Sequence, residues 1–231
     1  METWGKNGFS VSVLYSVGAV ATQILISAGE NSILVDAGDG TLRDLLSAGL
    51  EPERIGGILI THGHYDHVGG LHSLLGYFKM RKRSRSLPVF LPRGCLQAVS
   101  LLDNFAKIYS SRMPFAVDIT ELDDADCFTT DPFRVRCFYV THCSIEPDGT
   151  AVPMPAAGYR ISCGKTTVAV TGDCSDSESL RELVRDADLA LIEANFESYA
   201  SELHSKVHLT EALADEIGSL AREHILIHRR R

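Results

Sequence analysis

The sequence is short of several features that would send its reading elsewhere. No apolar stretch approaches the roughly 20 residues that a bilayer-spanning helix needs, so no membrane span is expected. The opening METWGKNGF lacks a basic region leading into an apolar run, so no signal peptide is expected either and a cytoplasmic location is. The six cysteines, Cys95, Cys127, Cys137, Cys143, Cys163 and Cys174, include no C-x-x-C pair. In a chain of 231 residues they read as reduced, mostly buried thiols rather than a disulfide framework. Excess positive charge is also missing: a formal net charge of −8 argues against indiscriminate binding of nucleic acid. One cluster runs against that average, Lys79, Arg81, Lys82, Arg83 and Arg85 in KMRKRSR. It reads as a solvated loop, with a small patch that attracts an anionic substrate as the alternative. Repeats, linkers and low-complexity segments are absent, so residues 1–231 are expected to form a single domain.

What is present is an ordinary globular composition, 45% hydrophobic and 23% charged. SVSVLY, TQILISAG and SILVDAG are short runs rich in branched residues and read as strands. TLRDLLSAGL has apolar positions at helical spacing and ends at a glycine. GGILIT is the next strand, followed by a helix over about His67–Tyr77, a strand at PVFLP and a helix at CLQAVSLLDNFAKIY. The second half repeats the logic, with strands at FAVDITEL and FRVRCFYVTH and a hairpin of AAGYRISC with TTVAVTGD. A helix over Ser177–Arg185, the strand ADLALIEANF, the helix LTEALADEIGSLA and the strand HILIH complete it. PDGTAVPMP reads as a loop. Two successive groups of strands and helices suggest two sheets packed face to face with helices outside.

THGHYDHVGG sets His62, His64, Asp66 and His67 within six positions, directly after the apolar Ile58-Leu59-Ile60. A lone His-x-His is more often two surface residues of a strand. Two further ligand-type side chains, in a loop where backbone turns can converge them, point to a metal. Imidazole with carboxylate suits zinc, manganese or iron better than calcium. Three other candidates each close an apolar strand: His142 after FYVT, Asp173 after VAVTG and His228 after LI. His72 and His224 read as surface residues.

This pattern, T-H-G-H-Y-D-H with a later His, a T-G-D and a final His, resembles the metallo-β-lactamase superfamily. ILVDAGDGT is similar to the second conserved strand of that superfamily, and the resemblance covers about Ser10 to His228. It implies an α/β fold, an αββα sandwich of two mixed β-sheets flanked by helices. It also implies one metal on His62, His64 and His142, a second on Asp66, His67 and His228, and Asp173 bridging both. Two zinc ions are the expected cofactors, with manganese or iron as substitutes. Ions sharing a carboxylate at about 3.5–4 Å ionise a common water to a bridging hydroxide near neutral pH.

Two stretches narrow the resemblance. IEANF (Ile192–Phe196) and HLT (His208–Thr210) are similar to paired motifs of ribonuclease Z and its cyclic-phosphodiesterase relatives. With Asp66, this places catalytic roles on Glu193 and His208; the plainer reading makes Glu193 a strand-end carboxylate and Thr210 a helix cap. Ile192 and Asn195 depart from the H-E-A-T-F pattern. The segment between His142 and Asp173 has no room for the long arm of ribonuclease Z, so a small anionic phosphodiester is expected ahead of RNA. A tRNA 3′-end processing endonuclease and a glyoxalase II-type thioester hydrolase are the alternatives among enzymes. A non-catalytic binding module is the alternative outside them, and all seven ligands are present against it. A homodimer fits related phosphodiesterases.

Overall fold

The computed structural model describes residues 1–230. Its contacts divide the chain into two compact units, Met1–Glu121 and a second from Leu122 onward. The first unit is built on seven strands in spatial order: β1 (Glu2–Lys6), β2 (Phe9–Val17), β3 (Ala21–Ala28), β4 (Asn31–Val35), β5 (Ile55–Leu59), β6 (Leu87–Pro92) and β7 (Val117–Leu122). The first four pair antiparallel, whereas β4–β5 and β5–β6 are parallel. Parallel neighbours require crossovers. These are α1 (Thr41–Ser47) before β5, and α2 (Tyr65–Val68) with α3 (Leu71–Met80) before β6; α4 (Leu96–Tyr109) then leads to β7.

The packing follows the helical period. Leu71, Leu74, Leu75 and Phe78 recur at one face of α3 and are fully buried with Ala98, Leu102 and Phe105 of α4, against Ile58, Val89 and Leu91 of the sheet. Each such Leu or Phe contributes about 1.5–3 kcal/mol on leaving water.

The helix expected over His67–Tyr77 is in fact two pieces, broken at Gly69-Gly70. A side chain at Gly70 would run into the carbonyl oxygens of Gly38 and Ala37, so the chain needs glycine to turn there. β1 is an addition to the sequence reading. It joins β2 through Asn7 and Gly8, whose φ values of 54° and 77° give the left-handed turn that an Asn-Gly pair favours.

Within the basic segment Arg81, Lys82 and Arg85 are exposed, as a solvated loop would have them, whereas Arg83 is structural. Arg83 is buried, donates to the carbonyls of Ile55 (2.9 Å) and Ser86 (3.1 Å), and lies 4.8 Å from the Phe78 ring centre. Burial, then the neighbouring Arg85, lower its pKa to about 10.

The second unit carries β8 (Cys127–Thr130), β9 (Phe133–Tyr139), β10 (Cys143–Ile145), β11 (Ala151–Pro153), β12 (Ala157–Cys163), β13 (Thr166–Val170), β14 (Leu189–Glu193) and β15 (His224–Ile227). Six of them form a sheet in the order β15-β14-β13-β12-β9-β8, and β10 pairs with β11 apart from it. PDGTAVPMP is therefore not all loop. Ala151–Pro153 pairs antiparallel with Cys143–Ile145, a strand too short to leave a period in the sequence.

β13, β14 and β15 are parallel, connected through α5 (Glu178–Val184) and α6 (Glu211–Gly218). Both helices start on a hydroxyl cap: Ser177 Oγ accepts from the Leu180 N–H, and Thr210 Oγ1 from the Leu213 N–H. Leu180, Leu183 and Val184 of α5 pack with Ala214 and Ile217 of α6 over Ala169, Ala190 and Ile192. Each unit is a mixed sheet flanked by helices, the α/β class expected. No helix among the described residues is long and apolar enough to cross a membrane. All six cysteines are free thiols.

Candidate metal centre

In both units several ligand-type residues follow the carboxyl ends of parallel strands, where α/β sheets place their sites; His142 instead follows β9, whose two neighbours are antiparallel to it. In the first unit, Asp36 follows β4 and the histidine loop follows β5. Asp36 is buried, with a left-handed φ of 58°. Its carboxylate accepts from the Thr61 N–H and hydroxyl, both at 2.8 Å, and from His67 Nδ1 at 2.7 Å. Those bonds fix the entry to the loop and the tautomer of His67, so that Nε2 carries its lone pair. Thr61 Oγ1 also meets His62 Nδ1 at 3.1 Å. His62 Nε2 then lies 3.0 Å from His64 Nδ1, two ring nitrogens aimed at one another.

Asp66 Oδ2 accepts from the Ala19 N–H at 3.0 Å and stands 3.9 Å from His67 Nε2. The Tyr65 hydroxyl donates to the Ala19 carbonyl at 2.7 Å, so the β2–β3 turn holds the ligand loop at two points. His62, Asp66 and His67 are buried and His64 is half-buried. His72, outside this group, is exposed on α3, edge-on to Phe105.

The second unit collects His142, Asp173, Glu193, His208 and His228. His142 Nδ1 donates to the Val207 carbonyl at 2.8 Å, again leaving Nε2 as the lone-pair nitrogen. Asp173 Oδ2 lies 3.1 Å from His228 Nε2 and 3.8 Å from His208 Nδ1. One ligand atom from each of Asp173, His208 and His228 falls within 4.8 Å of the others. His228 has a φ of 56°, an uncommon conformation for a side chain of its size, held directly beyond β15.

Glu193 is fully buried. Its Oε1 accepts from the Leu209 N–H (3.0 Å), the Cys174 N–H (3.2 Å) and His208 Nδ1 (3.1 Å), and Oε2 from the Asn195 N–H (3.1 Å). The carboxylate thus ties together the segments that carry Asp173 and His208. Its full burial and these four bonds place it behind His208 rather than on the open side of the site.

Three features of the site escaped the sequence reading. Tyr199 donates its hydroxyl to the His208 carbonyl at 3.1 Å. His204 stacks on Phe196 at 4.6 Å between ring centres, and Arg230 lies over the same ring at 4.9 Å. No motif marks them. Cys174, one position beyond Asp173, is fully buried, and that burial, then the charge of Glu193, push its thiol well above the usual range.

The donor sets fit a borderline transition metal. Each unit offers three imidazoles and an aspartate, and in each one ring is fixed by an acceptor on its far nitrogen. The groupings are compatible with a dinuclear metal site.

Residues 31–229 match the family model described as "Beta-lactamase superfamily domain". The chain is 26% identical to the Ribonuclease Z of Bradyrhizobium sp. (strain ORS 278), over 87% of this chain and 82% of that protein. It is 29% identical to the Ribonuclease Z of Geobacillus kaustophilus (strain HTA426), over 89% and 79% respectively. The crystal structure of the short form of human tRNase Z has a TM-score of 0.80 at 21% identity, covering 96% of this chain and 93% of that one. That likeness shows the fold.

Proposed function

The chain belongs to the metallo-β-lactamase superfamily, in the branch of ribonuclease Z and its phosphodiesterase relatives, and from there we propose that it is a dinuclear zinc phosphodiesterase acting on a small or cyclic phosphodiester. In this proposal the two units are halves of one domain. His62, His64 and His142 would hold one ion, Asp66, His67 and His228 the other, and Asp173 would serve both. Bound zinc supplies a water ionised near neutral pH and a charge that stabilises the anionic transition state. Manganese or iron would accept the same donors.

The protein's own part is orientation and proton delivery. Asp36 and the Val207 carbonyl set the rings of His67 and His142. His208, with Nδ1 held by Glu193, gives a proton from Nε2 to the departing alkoxide. The observation that carries the reading is this His208–Glu193 pair, at 3.1 Å and beside Asp173, in addition to the seven ligands. A thiolate leaving group, with a thiol pKa of about 8.5, has little need of such a donor, whereas an alkoxide does.

The test is a hydrolysis panel on metal-replete protein: a chromogenic phosphodiester, cyclic nucleotides, precursor tRNA, a glutathione thioester and a lactam. Turnover of the phosphodiesters with neither of the last two cleaved is the expected result. Preferential cleavage of the thioester would replace this reading with the glyoxalase-type one. A second reading, tRNA 3′-end endonuclease, is favoured by the name Ribonuclease Z on relatives that the chain covers for 79–82% of their length. Efficient, position-specific cleavage of precursor tRNA would select it.

A further inference from the structure

The second unit has a basic groove that the ligand clusters do not use. It lies on the face of β8, β9, β12 and β13, with a volume of about 600 Å3, and is lined by Arg134, Arg136, Arg160, Lys165, Ser162 and Thr167 among others. No carboxylate is among its described lining residues. In a protein of net charge −8, four cations gathered this way are a local reversal of sign.

The register shows how they are arranged. Arg136 of β9 sits directly opposite Arg160 of β12, and Arg134 is opposite Ser162. Lys165 lies in the turn that follows β12. The cations therefore occupy three successive levels along the strands, each two residues or roughly 7 Å apart.

Like charges placed directly opposite on a sheet are destabilising. Two of these are nonetheless held in place. Arg160 Nη1 donates to the Arg185 carbonyl at 2.8 Å, and Arg136 lies 3.6 Å from Glu182 and 4.5 Å from the Phe138 ring centre. Among the described residues, Arg134 and Lys165 have neither an ion pair nor a hydrogen bond of their side chains. Ser162 and Thr167 bond to each other at 2.9 Å between the levels and add hydroxyls to the floor.

We propose that this groove binds the sugar–phosphate backbone of a single strand of RNA. A compact anion would be met by cations converging on one point. Here they are strung along an open channel, at a spacing that successive phosphates of an extended strand match. The choice of a phosphodiester polymer rests on the second reading above, the endonuclease, and not on the small-diester one. The groove adds a hold on RNA away from the residues assigned to catalysis.

The test uses the metal-replete full chain and a fluorescent 2′-O-methyl polyuridine, with the length of the strand checked after each titration so that binding is read on intact RNA. Arg134→Ser with Lys165→Ser should weaken binding about tenfold or more. It should also lower the slope of log affinity against log salt by about 1.4, two contacts at about 0.7 each. Arg134→Lys with Lys165→Arg should restore both values. Arg81→Ser with Lys82→Asn removes the same charge from the first unit and should bind as the parent does. Unchanged affinity in the serine pair, or equal weakening in the Arg81/Lys82 control, would overturn the assignment. So would displacement of the RNA by inorganic phosphate too dilute to alter ionic strength, which would make the groove a small-anion site. Failure of the hydrolysis panel would count against the catalytic reading and leave these binding outcomes distinct.

Discussion

His208→Ala should lower kcat for phosphodiesters with poor leaving groups by about 10²–10⁴-fold, the usual contribution of a general acid. A nitrophenolate leaving group needs little protonation, so its hydrolysis should fall far less. His208 is half-buried, its Nδ1 is 3.1 Å from Glu193, and Tyr199 holds its carbonyl at 3.1 Å. The ring is thus oriented by side chain and backbone together, and in the proposed mechanism Nε2 would deliver the proton. Since the proposed ligand set does not include His208, metal content should stay near that of the parent. Glu193→Gln should give a weaker version of the same leaving-group dependence. If His208→Ala loses its metals, or slows good and poor leaving groups equally, His208 is not the acid.

Asp173→Ala should deplete both ions and abolish turnover, a larger loss than the about 10–100-fold typical of removing an outer-shell partner. The Asp173 carboxylate stands against both His228 and His208, and no other residue is assigned to both ions. His142→Ala should mainly weaken one. Elemental analysis of protein purified without chelator, paired with initial rates on a chromogenic diester, separates the two variants. Equal loss of both ions in each would contradict the ligand assignment.

Those residues were legible in the sequence for a physical reason. A ligand loop follows a buried strand, so an apolar run ending in His, Asp or a polar turn marks it. His62, His142, Asp173 and His228 all stand within three residues of the end of a strand. Glu193 and His208 were visible through their similarity to paired motifs, and the strand end and helix cap expected of Glu193 and Thr210 are both present.

What the sequence hid was mostly what holds these residues. Asp36 lies in ILVDAGDGT, a stretch the resemblance covers, but its bonds to Thr61 and His67 span 25 and 31 residues. The support for His142 is a backbone carbonyl, at Val207, which no residue type announces. Among the elements, β8, β10 and β11 have only three or four residues, too few to establish an alternation. β1 could have been found, because Asn7-Gly8 is a strong hairpin signal. The polar and charged Glu2, Thr3 and Lys6 around it obscured the strand.

The central claim is that two ions, rather than one, make this chain a phosphodiesterase. The most direct measurement strips the protein of metal and returns zinc in known equivalents, following the hydrolysis of a chromogenic phosphodiester alongside bound metal per chain. The account predicts that turnover remains low through the first equivalent, rises with the second and levels off at two ions per chain. Full turnover at one bound ion, unchanged by the second, would contradict it.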